Sequence, residues 1–297
     1  MNKLLKPALW LIITVGAFPC VLPGQAPAEA RENQSPPPHL HANLWMQTSA
    51  EYQALCRQTF NAALKEIKQT VKAAKRRQGR PVGPDKKPLA VVADLDETLL
   101  DNGRFQSEMD AAVWVDGMDT GYSHRRWAQW EQDNAEDVDL LPGAGAFIIE
   151  VEKLNVAMVY ISNRLERLRA GTIRALAHNR LSTQGLNDRA QGRLLLSEGT
   201  SNKQARIKET EEKFHVIAYL GDNLNDFPGD TAQAASAVEN IGVRRKKVES
   251  VADLWGTRWF MLPNPVYGSW DQILPKTIKE RMDLLKRASN AEFVKTK

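Results

Sequence analysis

Leu89-Ala90-Val91-Val92-Ala93-Asp94-Leu95-Asp96-Glu97-Thr98 is the stretch that decides how this chain folds. Residues 89–93 are apolar without a break, and a strand that is apolar on both alternating faces belongs inside a parallel sheet covered by helices on both sides. The run stops abruptly at two carboxylates separated by one leucine. In open α/β sheets ligands bind beyond the carboxyl ends of the strands, so Asp94 and Asp96 stand where chemistry is expected. Residues 79–88, punctuated by Gly79, Pro81, Gly83, Pro84 and Pro88, form the link into the strand.

Working outward, comparable apolar runs recur at 156–161, 194–196, 216–220 and 259–262, with helix-like segments between several of them. This alternation predicts an α/β fold, a parallel sheet with helices on both faces. Each run delivers polar residues. Ser162-Asn163-Arg164 follows the second, Ser197-Glu198-Gly199-Thr200 leads from the third to Lys203, and Gly221-Asp222-Asn223-Leu224-Asn225-Asp226 closes the fourth. Taken singly these are weak signals: a serine after a strand commonly caps a helix, a lysine in a first helical turn is ordinarily solvated, and Gly-Asp-Asn is common turn chemistry. In this order, each beside an apolar run, they argue for one site built along one edge of the sheet.

These motifs resemble the haloacid dehalogenase superfamily, and within it the class C bacterial acid phosphatases related to the outer-membrane lipoprotein type 5'-nucleotidases. The resemblance takes in Trp45-Met46-Gln47-Thr48-Ser49-Ala50-Glu51-Tyr52, the paired aspartates with Asp101-Asn102, and Leu141-Pro142-Gly143-Ala144. It continues through Ser162-Asn163-Arg164, Gly221-Asp222-Asn223-Leu224-Asn225-Asp226-Phe227 and Pro263-Asn264-Pro265-Val266-Tyr267-Gly268. It runs over residues 43–275, and the aspartates 94, 96, 222 and 226 are its most specific part. The fold it implies is a Rossmannoid parallel sheet, with a small α-helical accessory region from the N- and C-terminal flanks.

The roles follow from chemistry these residues can perform. A phosphate monoester resists water, so hydrolysis gains from transfer first to a carboxylate, Asp94, and then to water. Asp96, two residues on, projects to the same side, where it can protonate the leaving oxygen and then deprotonate the attacking water. Dehalogenases proper lack this second aspartate, because a halide leaves without a proton; its presence favours a phosphatase. A carboxylate attacking a phosphate brings like charges together, which calls for a hard divalent cation held by oxygens. The resemblance implies Mg2+ bound by the Asp94 carboxylate, the Asp96 main-chain carbonyl and the Asp222 carboxylate, with Asp226 close by. It also implies phosphate binding by Ser162 and Asn163, Ser162 lying at the start of the following helix, and by Lys203, which balances Asp94.

Between the first two strands, residues 103–141 carry Trp114, Tyr122, Trp127 and Trp130, too short a segment for a large cap but placed to roof the site. Trp127 and Tyr267 are the candidates to stack on a leaving group, which points to 5'-nucleotides and aryl phosphates as substrates. His124 and His178 lie at no strand end. Two other readings stay open at this point: a phosphotransferase using the same phospho-aspartate, and a non-catalytic binding or storage relative.

The N-terminus carries Lys3 and Lys6 ahead of an apolar run over residues 7–18, too short for a membrane span, and reads as an export signal. Cleavage after Ala28 or Ala30 is favoured over lipidation at Cys20, which follows Pro19 where a small residue is wanted. The chain thus divides into a signal peptide 1–30, a Pro-rich leader and helical lead-in 31–87, a core 88–268 with the aromatic cap segment 103–141, and a C-terminal helix and tail 269–297. The expected location is the periplasm, with the outer membrane as the lipoprotein alternative, and a lipid anchor at Cys20 is the only membrane link offered. After cleavage Cys56 is alone, so no internal disulfide forms. A formal charge of +4 with basic clusters that carry no interleaved aromatics argues against a nucleic-acid polymer as partner. The expected partner is a small phosphomonoester, and the family resemblance allows a homodimer.

Overall fold

A computed structural model describes residues 39–116, 122–229 and 237–289. The export signal, Cys20 and the leader up to residue 38 lie outside the described residues. The lead-in, expected as one long helix or two, is two: α1 (Leu40–Thr48) and α2 (Ala50–Gln78). Ser49 separates them, its extended backbone breaking the first helix and its side chain accepting the Tyr52 amide to start the second. Gly79 ends α2 in the left-handed conformation, φ 69, after a last turn carrying Lys75, Arg76 and Arg77. The buried residues of α2 (Tyr52, Cys56, Phe60, Ala63, Ile67 and Val71) recur every three or four positions and make one apolar stripe.

Next come β1 (Leu89–Ala93) and β2 (Leu100–Asp101), then α3 (Gly103–Asp116), α4 (His124–Asp133) and β3 (Asp139–Leu140). The short β2 and β3 pair antiparallel and close the base of the segment that carries α3 and α4. The rest of the chain alternates: α5 (Ala144–Lys153), β4 (Ala157–Leu165), α6 (Arg169–His178), β5 (Leu194–Ser197), α7 (Gln204–Lys213), β6 (His215–Gly221), α8 (Ala237–Ser250) and β7 (Trp259–Met261). Two helices follow, α9 (Ser269–Gln272) and α10 (Ile278–Ser289).

The main sheet has the order β5-β4-β1-β6-β7, with every pair parallel. The strand predicted from the sequence as decisive is therefore the central one, buried along its whole length. Its residues alternate between two cores, as the two-residue period of a strand requires. Leu89, Val91 and Ala93 join the layer with Phe60, Phe147 and Tyr160, while Ala90 and Val92 join the layer with Ile207, Tyr219, Phe227 and Trp259. Because β1 lies between β4 and β6, the chain leaves its carboxyl end at a switch point of the sheet, where a crevice opens.

One expectation is corrected. Ser162 does not start a helix: β4 runs on to Leu165, pairing there with Ser197 after a register shift beyond Ile161, and α6 begins only at Arg169. Ser162, Asn163 and Arg164 are thus held by strand geometry, so their side chains fall on alternating sides, Ser162 and Arg164 buried and Asn163 exposed.

Candidate active site

The amide of Asp94 donates to the Leu220 carbonyl at 3.0 Å, continuing the β1–β6 register one residue past the strand and fixing the nucleophile candidate at the crevice. The chain then turns tightly. Leu99 and Leu100 both donate to the Leu95 carbonyl at 2.8 Å, and Glu97 adopts φ 53 at the bend. On the neighbouring strand end, Gly221 has to be glycine: a Cβ there would stand 2.4 Å from the Asp226 Cβ, so only a bare backbone lets Asp226 fold over β6.

Lys203 joins these two strand ends. Its Nζ lies 2.7 Å from Asp94 Oδ1 and 2.7 Å from Asp226 Oδ1, and the residue is 3% exposed. Burial works against its charge, but the Asp226 and Asp94 carboxylates more than offset this and raise its pKa. Lys213, further along, instead pairs with Glu209 on the outside of α7.

Asp94, Asp222 and Asp226 can bring one carboxylate oxygen each within 4.8 Å of the others. Burial, with the neighbouring carboxylates adding to it, holds the Asp94 carboxyl well above its usual range despite Lys203. Burial and Asp226 push Asp222 up to about 7. A cluster in which withdrawn carboxylates resist ionisation, with one ammonium among them, is short of positive charge, and an all-oxygen donor set suits a hard divalent cation. The residues present therefore fit the metal that the resemblance implies. Asp222 is aimed by two neighbours, accepting from Thr98 Oγ1 at 3.0 Å and from Asn264 Nδ2 at 2.8 Å. Asp226 is occupied on both oxygens, by Lys203 and by the Asn223 amide at 2.8 Å, which suits a supporting rather than a direct contact.

Asp96 has a different setting. Arg164, fully buried, grips it from Nε at 2.9 Å and Nη2 at 2.7 Å, both to Oδ1, with Nε also 3.2 Å from Oδ2. Asn102 Nδ2 donates to the same Oδ1 at 2.9 Å, and Ser162 Oγ donates to Oδ2 at 3.4 Å. The two aspartates of the motif are thus partnered oppositely, Asp94 by a lysine from α7's approach and Asp96 by an arginine from the end of β4. Asn163, on the other face of β4, accepts from Arg206 Nη2 at 2.7 Å, while Arg206 Nη1 donates to the Ser162 carbonyl at 2.5 Å.

Of the aromatic candidates, Trp127 is half-buried with its ring 5.7 Å from Arg164 Cζ and edge-on to Phe105 at 5.0 Å. The Tyr267 hydroxyl donates to Glu97 Oε2, so its segment is tied to the Asp94–Thr98 turn. Trp130 is buried against Phe105, and Tyr122 is exposed beside His124. The side chain of Trp114 lies outside the described residues. His178 is exposed at the end of α6.

Sequence reasoning did not assign roles to Arg164, Asn102, Thr98, Asn264 or Glu97. The first four touch the key carboxylates directly. Each lies inside a quoted motif, so the signal was present, but nothing in a linear motif says which side chain it reaches.

The family model described as HAD superfamily, subfamily IIIB (Acid phosphatase), matches residues 32–270. Among solved structures, a class C acid phosphatase from Bacillus anthracis with tungstate bound is similar at 26% identity and a TM-score of 0.65, covering 84% of this chain and 95% of that one. A second structure of the class C acid phosphatase from Bacillus anthracis is similar at 27% identity and a TM-score of 0.64, with the same coverage.

Proposed function

This chain belongs to the subfamily IIIB acid phosphatases of the haloacid dehalogenase superfamily, and from that premise we propose that it hydrolyses phosphomonoesters through a phospho-aspartate on Asp94, with Mg2+ as its cofactor. The phosphoric monoester hydrolase activity comes with the family. The observation that best supports the finer reading is the opposite partnering of the aspartate pair, Lys203 on Asp94 and Arg164 on Asp96.

An Asp94 oxygen attacks phosphorus as the ester P–O bond breaks, and the departing oxygen takes a proton from Asp96. Asp96, now a carboxylate, removes a proton from a water that attacks the acyl phosphate. The Asp94–phosphorus link breaks, and Asp96 regains its proton as phosphate leaves. Lys203 balances the Asp94 carboxylate and the phosphoryl oxygens, and Ser162, beside Asp96, lines the phosphate's approach, whereas the Asn163 side chain faces away towards Arg206. Asp94 and Asp222 through their carboxylates, and Asp96 through its carbonyl, would hold Mg2+, supported by Asp226. Bound there, the ion supplies charge neutralisation for the phosphoryl oxygens.

For substrates we favour 5'-nucleotides and aryl phosphates, whose rings would stack on Trp127, half-buried beside the Arg164 that grips Asp96, or on Tyr267, half-buried and tied to Glu97 in the aspartates' turn. The site of action is outside the cytoplasm, by way of the signal over residues 1–30, and no helix among the described residues is long and apolar enough to cross a membrane. N-terminal sequencing of the mature protein distinguishes cleavage after Ala28 or Ala30 from lipidation at Cys20.

The test of the whole reading is phosphate release from 5'-nucleotides, 3'-nucleotides, aryl phosphates and sugar phosphates at mildly acid pH, with magnesium and with EDTA. Release led by 5'-nucleotides and aryl phosphates and lost in EDTA supports it; undiminished release in EDTA removes the metal assignment. Appearance of the phosphoryl group on an added alcohol would instead favour a transferase.

A further inference from the structure

Glu97 is the acid of the aspartate turn that the proposed reaction leaves without a task. Its position is costly. The backbone there has φ 53, a left-handed conformation that strains any residue but glycine, and the side chain is fully buried. An acid kept under both burdens needs partners, and it has one for each oxygen. Oε1 accepts from the Asn102 amide at 3.1 Å, and Oε2 accepts from the Tyr267 hydroxyl. Asn102 in turn donates through Nδ2 to Asp96 Oδ1 at 2.9 Å, so the first bond serves the turn itself. The second reaches across the fold.

Tyr267 is held at both ends. Its amide donates at 3.3 Å to Oδ1 of Asn264, the residue whose Nδ2 reaches Asp222, and its hydroxyl ends on Glu97, next in sequence to Asp96. The backbone is thus tied to the end of β6 and the ring's tip to the end of β1, neighbours in the sheet, and the phenol lies across the crevice between them. The segment's backbone has anchors of its own. Leu262 donates to the Gly221 carbonyl at 2.8 Å, and Gly268 passes so near the β6 loop that a Cβ there would stand 2.8 Å from Asn223 Nδ2. These anchors place the Tyr267 backbone but not its ring, whose rotation about the side-chain torsions the Glu97 bond stops.

We propose that Glu97 is a specificity-determining positioning residue: through the Tyr267 hydroxyl it fixes the phenol ring across the crevice, set to stack on an aromatic leaving group, so that selection of such groups is governed from within the aspartate turn. This rests on the reading of Tyr267 as a stacking surface. Glu97 touches no reacting atom in this scheme. A ring already fixed gives up little freedom when a substrate stacks on it, so loss of the tether weakens binding most for substrates that carry a base or aryl ring.

The experiment compares adenosine 5'-monophosphate with ribose 5-phosphate, which lose phosphate from the same sugar hydroxyl and differ by the base. kcat and KM for both are measured in wild type, Tyr267→Phe, Tyr267→Ala, Glu97→Ala and the double variant Glu97→Ala with Tyr267→Phe, with melting curves for each. Tyr267→Phe keeps the ring and loses the tether; its ratio of kcat/KM between nucleotide and sugar phosphate should fall severalfold, chiefly through a higher KM for the nucleotide. Tyr267→Ala should lower the ratio further. Glu97→Ala should lower it as Tyr267→Phe does, and the double variant should fall no further than either, because both changes remove the same bond. A merely structural role would lower both substrates together. A ratio kept in folded Tyr267→Phe but lost in Tyr267→Ala overturns the tether and leaves the stacking reading standing, as do losses that add in the double variant. An unchanged ratio in folded Tyr267→Ala removes the stacking reading itself. Should Glu97→Ala not fold, Tyr267→Phe, which leaves Glu97 in place, decides alone.

Discussion

Lys203 Nζ stands 2.7 Å from Asp94 Oδ1, an ion pair whose two side chains are 3% and 11% exposed. The pair spans from the approach to α7 to the end of β1, so the charge of the proposed nucleophile is set by a residue 109 positions away in sequence. The same ammonium also meets Asp226, which makes Lys203 the counter-charge of both strand ends.

Lys203→Met should therefore cost both activity and stability. Removing one partner of a buried pair leaves uncompensated charge, for which about 3 kcal/mol is the expected order of loss at neutral pH. Turnover should fall by on the order of 100-fold if Lys203 also balances the phosphoryl oxygens as proposed, an electrostatic contribution of a few kcal/mol in such sites. Urea unfolding and steady-state rates measure the two effects, and a variant with wild-type rate would show that Lys203 serves structure alone.

Asp94→Asn separates chemistry from folding. Burial and neighbouring carboxylates already disfavour the charged form of Asp94, so a neutral amide of the same shape should leave the melting temperature at or above that of the wild type. Turnover should be abolished, because an amide cannot take the phosphoryl group in the way proposed for Asp94. Measurable wild-type turnover in this variant would falsify the assignment of the nucleophile.

Much of this was legible in the sequence, and the reasons are physical. Strand β1 announced itself because a doubly covered strand must be apolar on both faces, and all of 89–93 are buried. Asp94, Asp222 and Lys203, which the structure brings together, could be singled out in the sequence because each follows a strand whose direction the parallel sheet dictates. What stayed hidden were contacts across the fold. Asn264 reaches Asp222 over 42 positions, and Arg164 reaches Asp96 over 68, pairings that depend on strand order rather than on any local pattern. Ser162 was placed at a helix start on the family resemblance; the register shift that carries β4 on to Leu165 leaves no signature in residue types.

The aim of Asp222 yields a graded prediction for the cation. Asp222→Asn should weaken magnesium binding most, as a carboxylate is replaced by an amide. Asn264→Ala should weaken it less, since Thr98 still donates to the other oxygen of Asp222. Titration calorimetry with magnesium ranks the three proteins. An unchanged affinity in Asp222→Asn means that Asp222 is not a ligand, and an effect of Asn264→Ala as large as that of Asp222→Asn would mean that Asn264 does more than orient it.

Glu131 carries the last prediction, one of stability against pH. Burial, with Asp96 adding to it and Arg164 opposing, pushes its carboxyl from an ordinary 4.5 up to about 7. The folded state therefore binds the Glu131 proton more tightly than the unfolded state does. Stability from this group is whole below pH 4.5, falls as the pH rises between the two values, and is lost above about 7, a total of roughly 3 kcal/mol. Glu131→Gln has no proton to lose and should escape that decline. Urea unfolding of wild type and Glu131→Gln at pH 4.5 and pH 8 should show the variant gaining on the wild type by about that amount across the interval. A constant difference between the two proteins would mean that Glu131 ionises as easily folded as unfolded, with Arg164 fully neutralising the cost of its burial. The gain in Glu131→Gln would mark Glu131 as a residue whose ionisation lowers stability at neutral pH.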